Sequence, residues 1–172
     1  MADELRAQVR QRFRARCAYC GVHEDAVGAT LTIDHHRPRA HGGTDEEENL
    51  VYCCSRCNEH KGAYWHEHDP PHVRLLHPGQ DDLTQYLHES DDGRIVGLAP
   101  EGEFFIQRLR LNRPQLVAYR RARQVEAKLT VELAANRRRV EELERTVIAL
   151  RAALESTAEE IERRSKGRQE EE

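Results

Sequence analysis

At 172 residues the chain is long enough for one compact domain with an appendage. Charged residues make up 34% and aromatics 5%, too polar for one large core, yet the Leu and Val content is too high for full disorder. A net charge of −4 excludes a uniformly basic nucleic-acid binder, and no apolar run approaches the length of a membrane span.

Residues 3–16 are Arg- and Ala-rich, free of Gly and Pro, and predict a helix. This segment, 1–16, carries Arg6, Arg10, Arg12, Arg14 and Arg16 against Asp3 and Glu4, a basic arm suited to meeting phosphate. Its polar start carries no signal-peptide pattern, so a cytoplasmic protein with no membrane partner is expected. A tight C-A-Y-C turn follows at Cys17–Cys20, then a β-prone run over 29–33 that ends at Asp34. Residues 38–48 read as a loop hinged at Gly42-Gly43, with acid concentrated at 45–48. Residues 49–53 lead into a short helix that Gly62 helps to end. The stretch 66–82, rich in Pro and His, reads as irregular. A hairpin is expected over 84–98 around Asp92-Gly93, then a helix over 101–111. Asn112 and Pro114 suit the start of another helix, unbroken to about Ser165.

Within that last helix a mostly apolar seam steps by three and four. Leu133, Val140, Val147, Leu154 and Ile161 fall at heptad position a, and Leu143 and Leu150 at d. β-branched a positions with Leu at d favour a parallel two-stranded coil, with Asn136 available to fix register. Glu132 would then face the second strand's position 137 (Arg), and Arg139 its position 144 (Glu). The seam predicts a homodimer or a partner protein through residues 133–161.

Two C-x-x-C pairs, Cys17/Cys20 and Cys54/Cys57, match a four-thiolate structural zinc site; the competing reading is four unrelated thiols. Cys53 fits that set poorly and reads as a spare buried thiol. Zinc at these pairs would tie the strand ending at Asp34 to the helix carrying Asn58, so that Asp34, His35 and Asn58 converge. A carboxylate and an amide oxygen suit Mg²⁺ or Mn²⁺. A neutral imidazole beside them suits a general base, and metal plus base is the equipment of phosphodiester hydrolysis. His66, His68, His72 and His77 fit no single helix face, so no second metal site is expected there.

"CAYC", "IDHHRPRAHGG" and "NLVYCCSRCNEHKG" together resemble the HNH endonucleases over residues 17–62, and 92–121 is similar to the extension of a bacterial branch of small HNH proteins. The resemblance implies a small, zinc-stapled ββα-metal nuclease core with a helical extension; with the long C-terminal coiled-coil-like helix read from the heptad seam, the expected fold class is α+β. The expected divisions are 1–16, 17–65, 66–124 and 125–172. The resemblance also implies His35 as the base, Asp34 and Asn58 as ligands of a catalytic divalent cation, and Asn49 as the residue that pins the loop. The third letter of the family name, commonly His, is Asn58 here. His36 reads as a supporting partner or a packed side chain, His41 as a phosphate contact or a solvated loop residue, and Lys61 as a phosphate contact or a solvated helix-end residue. The implied substrate is nucleic acid, chiefly DNA, gripped at the minor groove with weak sequence preference and cut to 5′-phosphate and 3′-hydroxyl. The rivals are a non-catalytic zinc-stabilised nucleic-acid-binding module and a coiled-coil interaction protein.

Overall fold

The computed structural model describes residues 3–169, without the side chains of residue 162 and residues 164–169. The chain divides into one unit ending at Gln124 and a second beginning at Val125. In chain order the elements are α1 (Asp3–Arg12), α2 (Glu24–Val27), β1 (Thr32–His35), β2 (Leu50–Cys53), α3 (Ser55–Lys61), β3 (Leu87–Glu89), β4 (Ile95–Gly97), α4 (Pro100–Leu109) and α5 (Pro114–Gln169).

The heart of the first unit is β1–β2–α3. The two strands pair antiparallel, with Asp34 opposite Val51 and His35 opposite Leu50. All four residues of β2 are buried, which is why "LVYC" reads as a continuous apolar run rather than an alternating one. Tyr52 gives that strand a polar anchor. Its hydroxyl accepts from the Leu31 amide at 2.8 Å and donates to Glu24 at 2.6 Å. The core around it is built from Val9, Leu31, Leu75, Leu76, Phe105, Leu109 and Leu111.

The N-terminal helix departs from expectation. It ends at Arg12 rather than Arg16, and Arg14 and Ala15 take positive φ as the chain reverses toward Cys17. Nor are its arginines a free basic arm. Arg6 donates to the Leu31 carbonyl, Arg10 pairs with Glu24, Arg12 reaches the carbonyls of Glu47 and Leu50, and Arg16 reaches that of Gly21. The Arg10 guanidinium, with Tyr52, holds the Glu24 carboxyl down at about 2. Four of the five arginines therefore brace the fold, while Val9 seats the helix in the core.

β3 and β4 form the expected hairpin, shorter than 84–98, with Gly93 at φ +79° in its turn. Arg120 of α5 is buried and ties that turn to the end of α4, donating to Gly93 O at 2.8 Å and Leu111 O at 2.5 Å. In the second unit α5 continues with every described side chain exposed, including Leu133, Val140, Leu143, Val147, Leu150, Leu154 and Ile161. Among the described residues no helix is long and apolar enough to cross a membrane.

Candidate active site and zinc knuckle

Cys17, Cys20, Cys54 and Cys57 are all buried, with their sulfurs within 4.8 Å of one another. Cys20 and Cys54 stand 3.8 Å apart. Zn–S bonds of about 2.3 Å in a tetrahedron require sulfur separations of about 3.8 Å, so the four cysteines fit a structural zinc. Arg113, in the turn that opens α5, brings its guanidinium to 3.7 Å from Cys57 and 3.9 Å from Cys54, supplying positive charge beside a thiolate-rich centre. Cys53 is not part of the set. It lies against Thr32, and burial pushes its thiol up. Replacing Cys54 by Ser should abolish stoichiometric zinc and lower the melting temperature, because binding at such a centre is itself folding free energy. Metal analysis and thermal melting check this together; a zinc-free protein that melts like the wild type would contradict it.

The same knuckle positions the candidate chemistry. Tyr19, between the first two cysteines, is buried and donates to Asp34 Oδ2 at 2.9 Å. Asp34 is 9% exposed and also pairs with Lys61, whose Nζ lies 3.2 Å from Oδ1 and 3.1 Å from Oδ2. Lys61 donates further to the carbonyl of His35 at 2.7 Å. Burial pushes the Asp34 carboxyl up, and Lys61 followed by Tyr19 opposes that rise. Lys61 is thus no surface cation: it is fully buried, with its ammonium bonded to Asp34 and to the His35 carbonyl. Asn58 lies one helical turn earlier on the same face. It is half-buried, and its side-chain amide has no hydrogen-bond partner among the described residues. A carboxylate oxygen and a free amide oxygen fit the donor chemistry of a Mg²⁺-type cation, which keeps several waters. Among the described residues no cluster of three His, Cys, Asp or Glu ligands exists other than the cysteines.

His35 follows Asp34 on the strand, and adjacent strand residues point to opposite faces. Its partners are accordingly different. Nε2 lies 2.6 Å from Asp45 Oδ1 and 3.3 Å from Arg39 Nε, and Arg39 Nη2 reaches both Asp45 oxygens at 2.5 Å. Asn49 clamps the loop that carries these groups. It accepts from the Arg37 amide at 2.8 Å and donates to the carbonyls of Arg37 and Thr44 at 3.1 and 2.8 Å. The glycine pair makes the clamp possible. Gly42 takes φ +78°, and a Cβ on Gly43 would lie 1.8 Å from the Arg37 carbonyl oxygen. His36 is buried beside His77, ring centroids 4.3 Å apart, and burial first, then His77, pushes it down to about 3. It is a packed side chain, 3% exposed. His41 caps nothing in the site; its carbonyl accepts from Arg37 Nε at 2.6 Å.

Residues 17–63 match the family model for the HNH endonuclease. These residues are an HNH endonuclease-family domain. Over 62 residues the chain is also 45% identical to the CRISPR-associated endonuclease Cas9 of Corynebacterium diphtheriae, a match covering 36% of this chain and 6% of that protein. The HNH match spans the four clustered cysteines and the Asp-His pair. Reading the motif alone missed Tyr19, Arg39, Asp45 and Arg113. Tyr19 had a signal in its place inside the C-x-x-C turn, whereas the partners of Arg39 and Asp45 depend on how the loop folds back.

Proposed function

We propose that this chain hydrolyses phosphodiester bonds of nucleic acid, chiefly DNA, using His35 as general base and a divalent cation at Asp34 and Asn58. The observation that carries the reading is the division of labour on β1. Asp34 is held inward by Tyr19 and Lys61, while His35 turns its ring nitrogen to the rim of the site. His35 takes the proton from an attacking water through Nε2. Asp34 and Asn58 would hold Mg²⁺ or Mn²⁺, which supplies charge stabilisation to the reacting phosphate and leaving oxygen. Lys61 keeps Asp34 ionised and in place. The products are 5′-phosphate and 3′-hydroxyl. Incubating the zinc-loaded protein with supercoiled, linear and single-stranded DNA and with RNA, in Mg²⁺, Mn²⁺ or EDTA, tests this. Metal-dependent cutting, strongest on DNA, is expected; tight binding without cutting on any substrate would make the protein a binding module.

The seam of α5 is proposed to pair two copies in parallel through residues 133–161. Its apolar a and d side chains are exposed in the single chain, and the flanking charges at 132, 137, 139 and 144 attract across such a dimer. Light scattering should report a dimer for the full chain and a monomer for a chain ending near Arg123. A full chain that stays monomeric at high concentration would rule this pairing out.

A further inference from the structure

We propose that Arg39 is the residue that takes the substrate's phosphate in this site, and that the Asp45 carboxylate is a built-in placeholder occupying the phosphate's position until substrate displaces it. The inference rests on the nuclease reading for its substrate, but it stands on a separate constellation of groups.

Asp45 Oδ1 receives three contacts at once: 2.6 Å from His35 Nε2, 2.5 Å from Arg39 Nη2 and 3.1 Å from Arg39 Nε. Oδ2 takes a second short contact, 2.5 Å from the same Nη2. An anion is therefore held in a fork of guanidinium donors while touching the nitrogen proposed to deprotonate water. A water attacking phosphorus must sit between that nitrogen and a phosphate. Asp45 Oδ1 stands where that water must sit, and the rest of the carboxylate occupies the Arg39 donors beside it, so a phosphodiester can be attacked there only after the carboxylate leaves. The guanidinium fork binds carboxylate and phosphate oxygens with the same geometry, so the exchange replaces one anion by another on the same donors.

The surroundings suit an exchange. The side chains of Arg39 and Asp45 are 64% and 54% exposed, whereas His35 is 19% exposed. An exposed pair of this kind contributes little to stability and can be broken readily. The backbone on either side is fixed by the Asn49 bonds to Arg37 and Thr44, so the two side chains can part without the loop refolding. Asp45 is also the one acid of its loop that contacts the site. Among the described residues the acid hydrogen-bonded to Arg39 and His35 is Asp45, not its neighbour Glu46.

The test measures binding, so it does not depend on cleavage. Anisotropy of a short fluorescein-labelled DNA duplex is titrated with the full-length protein across a salt series, with no divalent cation added. Zinc content and melting temperature are recorded for each variant. Asp45→Asn should tighten binding by about two- to fivefold, the range expected for releasing one exposed ion pair. Arg39→Gln should weaken binding and reduce the slope of log K against log salt by about one, the mark of one lost phosphate contact. In the double variant the gain from Asp45→Asn should vanish, because no guanidinium remains to be freed. Glu46→Gln, which removes the same charge from the same loop, should give a smaller gain than Asp45→Asn. The proposal is overturned if Arg39→Gln keeps the wild-type affinity and slope, if Asp45→Asn binds no tighter than wild type, or if the Asp45→Asn gain persists without Arg39. An inactive protein with the expected binding pattern would sink the nuclease reading and leave the placeholder standing.

Discussion

His35→Ala should reduce the rate of DNA cleavage by about 10²–10⁴-fold, the usual cost of losing a positioned general base. The protein around it should be unaffected. Among the described residues the imidazole hydrogen-bonds only to Asp45 and Arg39, at the rim of the site, and the backbone carbonyl that accepts from Lys61 remains in the variant. Zinc content, melting temperature and duplex affinity should therefore stay close to wild type while the rate collapses. Initial rates on supercoiled plasmid, measured beside those three properties, make the comparison. Equal rates in the two proteins would remove His35 from the chemistry. A parallel fall in rate and zinc content would instead assign it a role in folding.

Lys61→Met should be among the most destabilising single changes in the first unit. The ammonium is fully buried and holds three acceptors: Asp34, the His35 carbonyl and the Gly62 carbonyl. Methionine fills much of the volume but leaves the Asp34 carboxylate buried without its counter-charge, a defect that costs about 3–5 kcal/mol. The pH dependence has a definite sign. Burial already raises the Asp34 carboxyl above its ordinary value, and without Lys61 the rise is larger. The folded variant then holds a proton more tightly than the unfolded chain does, so its deficit should shrink at acid pH and grow as pH rises through the raised value. Adding Asp34→Asn should recover much of the loss, since a neutral amide needs no cation. Denaturant unfolding of the two single variants and the double variant measures this; a Lys61→Met protein within about 1 kcal/mol of wild type would show that the pair contributes no more than a surface contact.

The ββα core was legible through the family resemblance that its spaced motifs carry. Two C-x-x-C pairs fit only a few structures, and the Asp-His pair ahead of a glycine-hinged loop marks the end of β1 and the return to β2. Spacing does not convey direction. Lys61 ends a short helix next to a glycine, the usual address of a solvated cation, and only its bonds to Asp34 and the His35 carbonyl, both distant in sequence, reveal it as turned inward. The arginines of α1 show the same limit. A local excess of positive charge looks like a nucleic-acid arm until Glu24 and the backbone carbonyls of Leu31, Glu47 and Leu50 are found within reach, each brought there by contacts distant in sequence. Asp45 was visible as one acid among four in a loop, and its selection depends on the Asn49 clamp that aims it at His35 and Arg39. The seam of α5 was readable from its period alone, since a helix places every third and fourth residue on one side whatever it packs against.

Cation-dependent phosphodiester hydrolysis can be put to a decisive trial by treating supercoiled plasmid with the zinc-loaded full-length protein in Mg²⁺, Mn²⁺ or EDTA and then offering the products to DNA ligase. Nicked or linear plasmid should form only with the added cation, and ligase should reseal its nicks without prior phosphorylation, because they carry 5′-phosphate and 3′-hydroxyl ends. Plasmid left intact in every metal by a folded, zinc-containing protein, or cut equally well in EDTA, would contradict it.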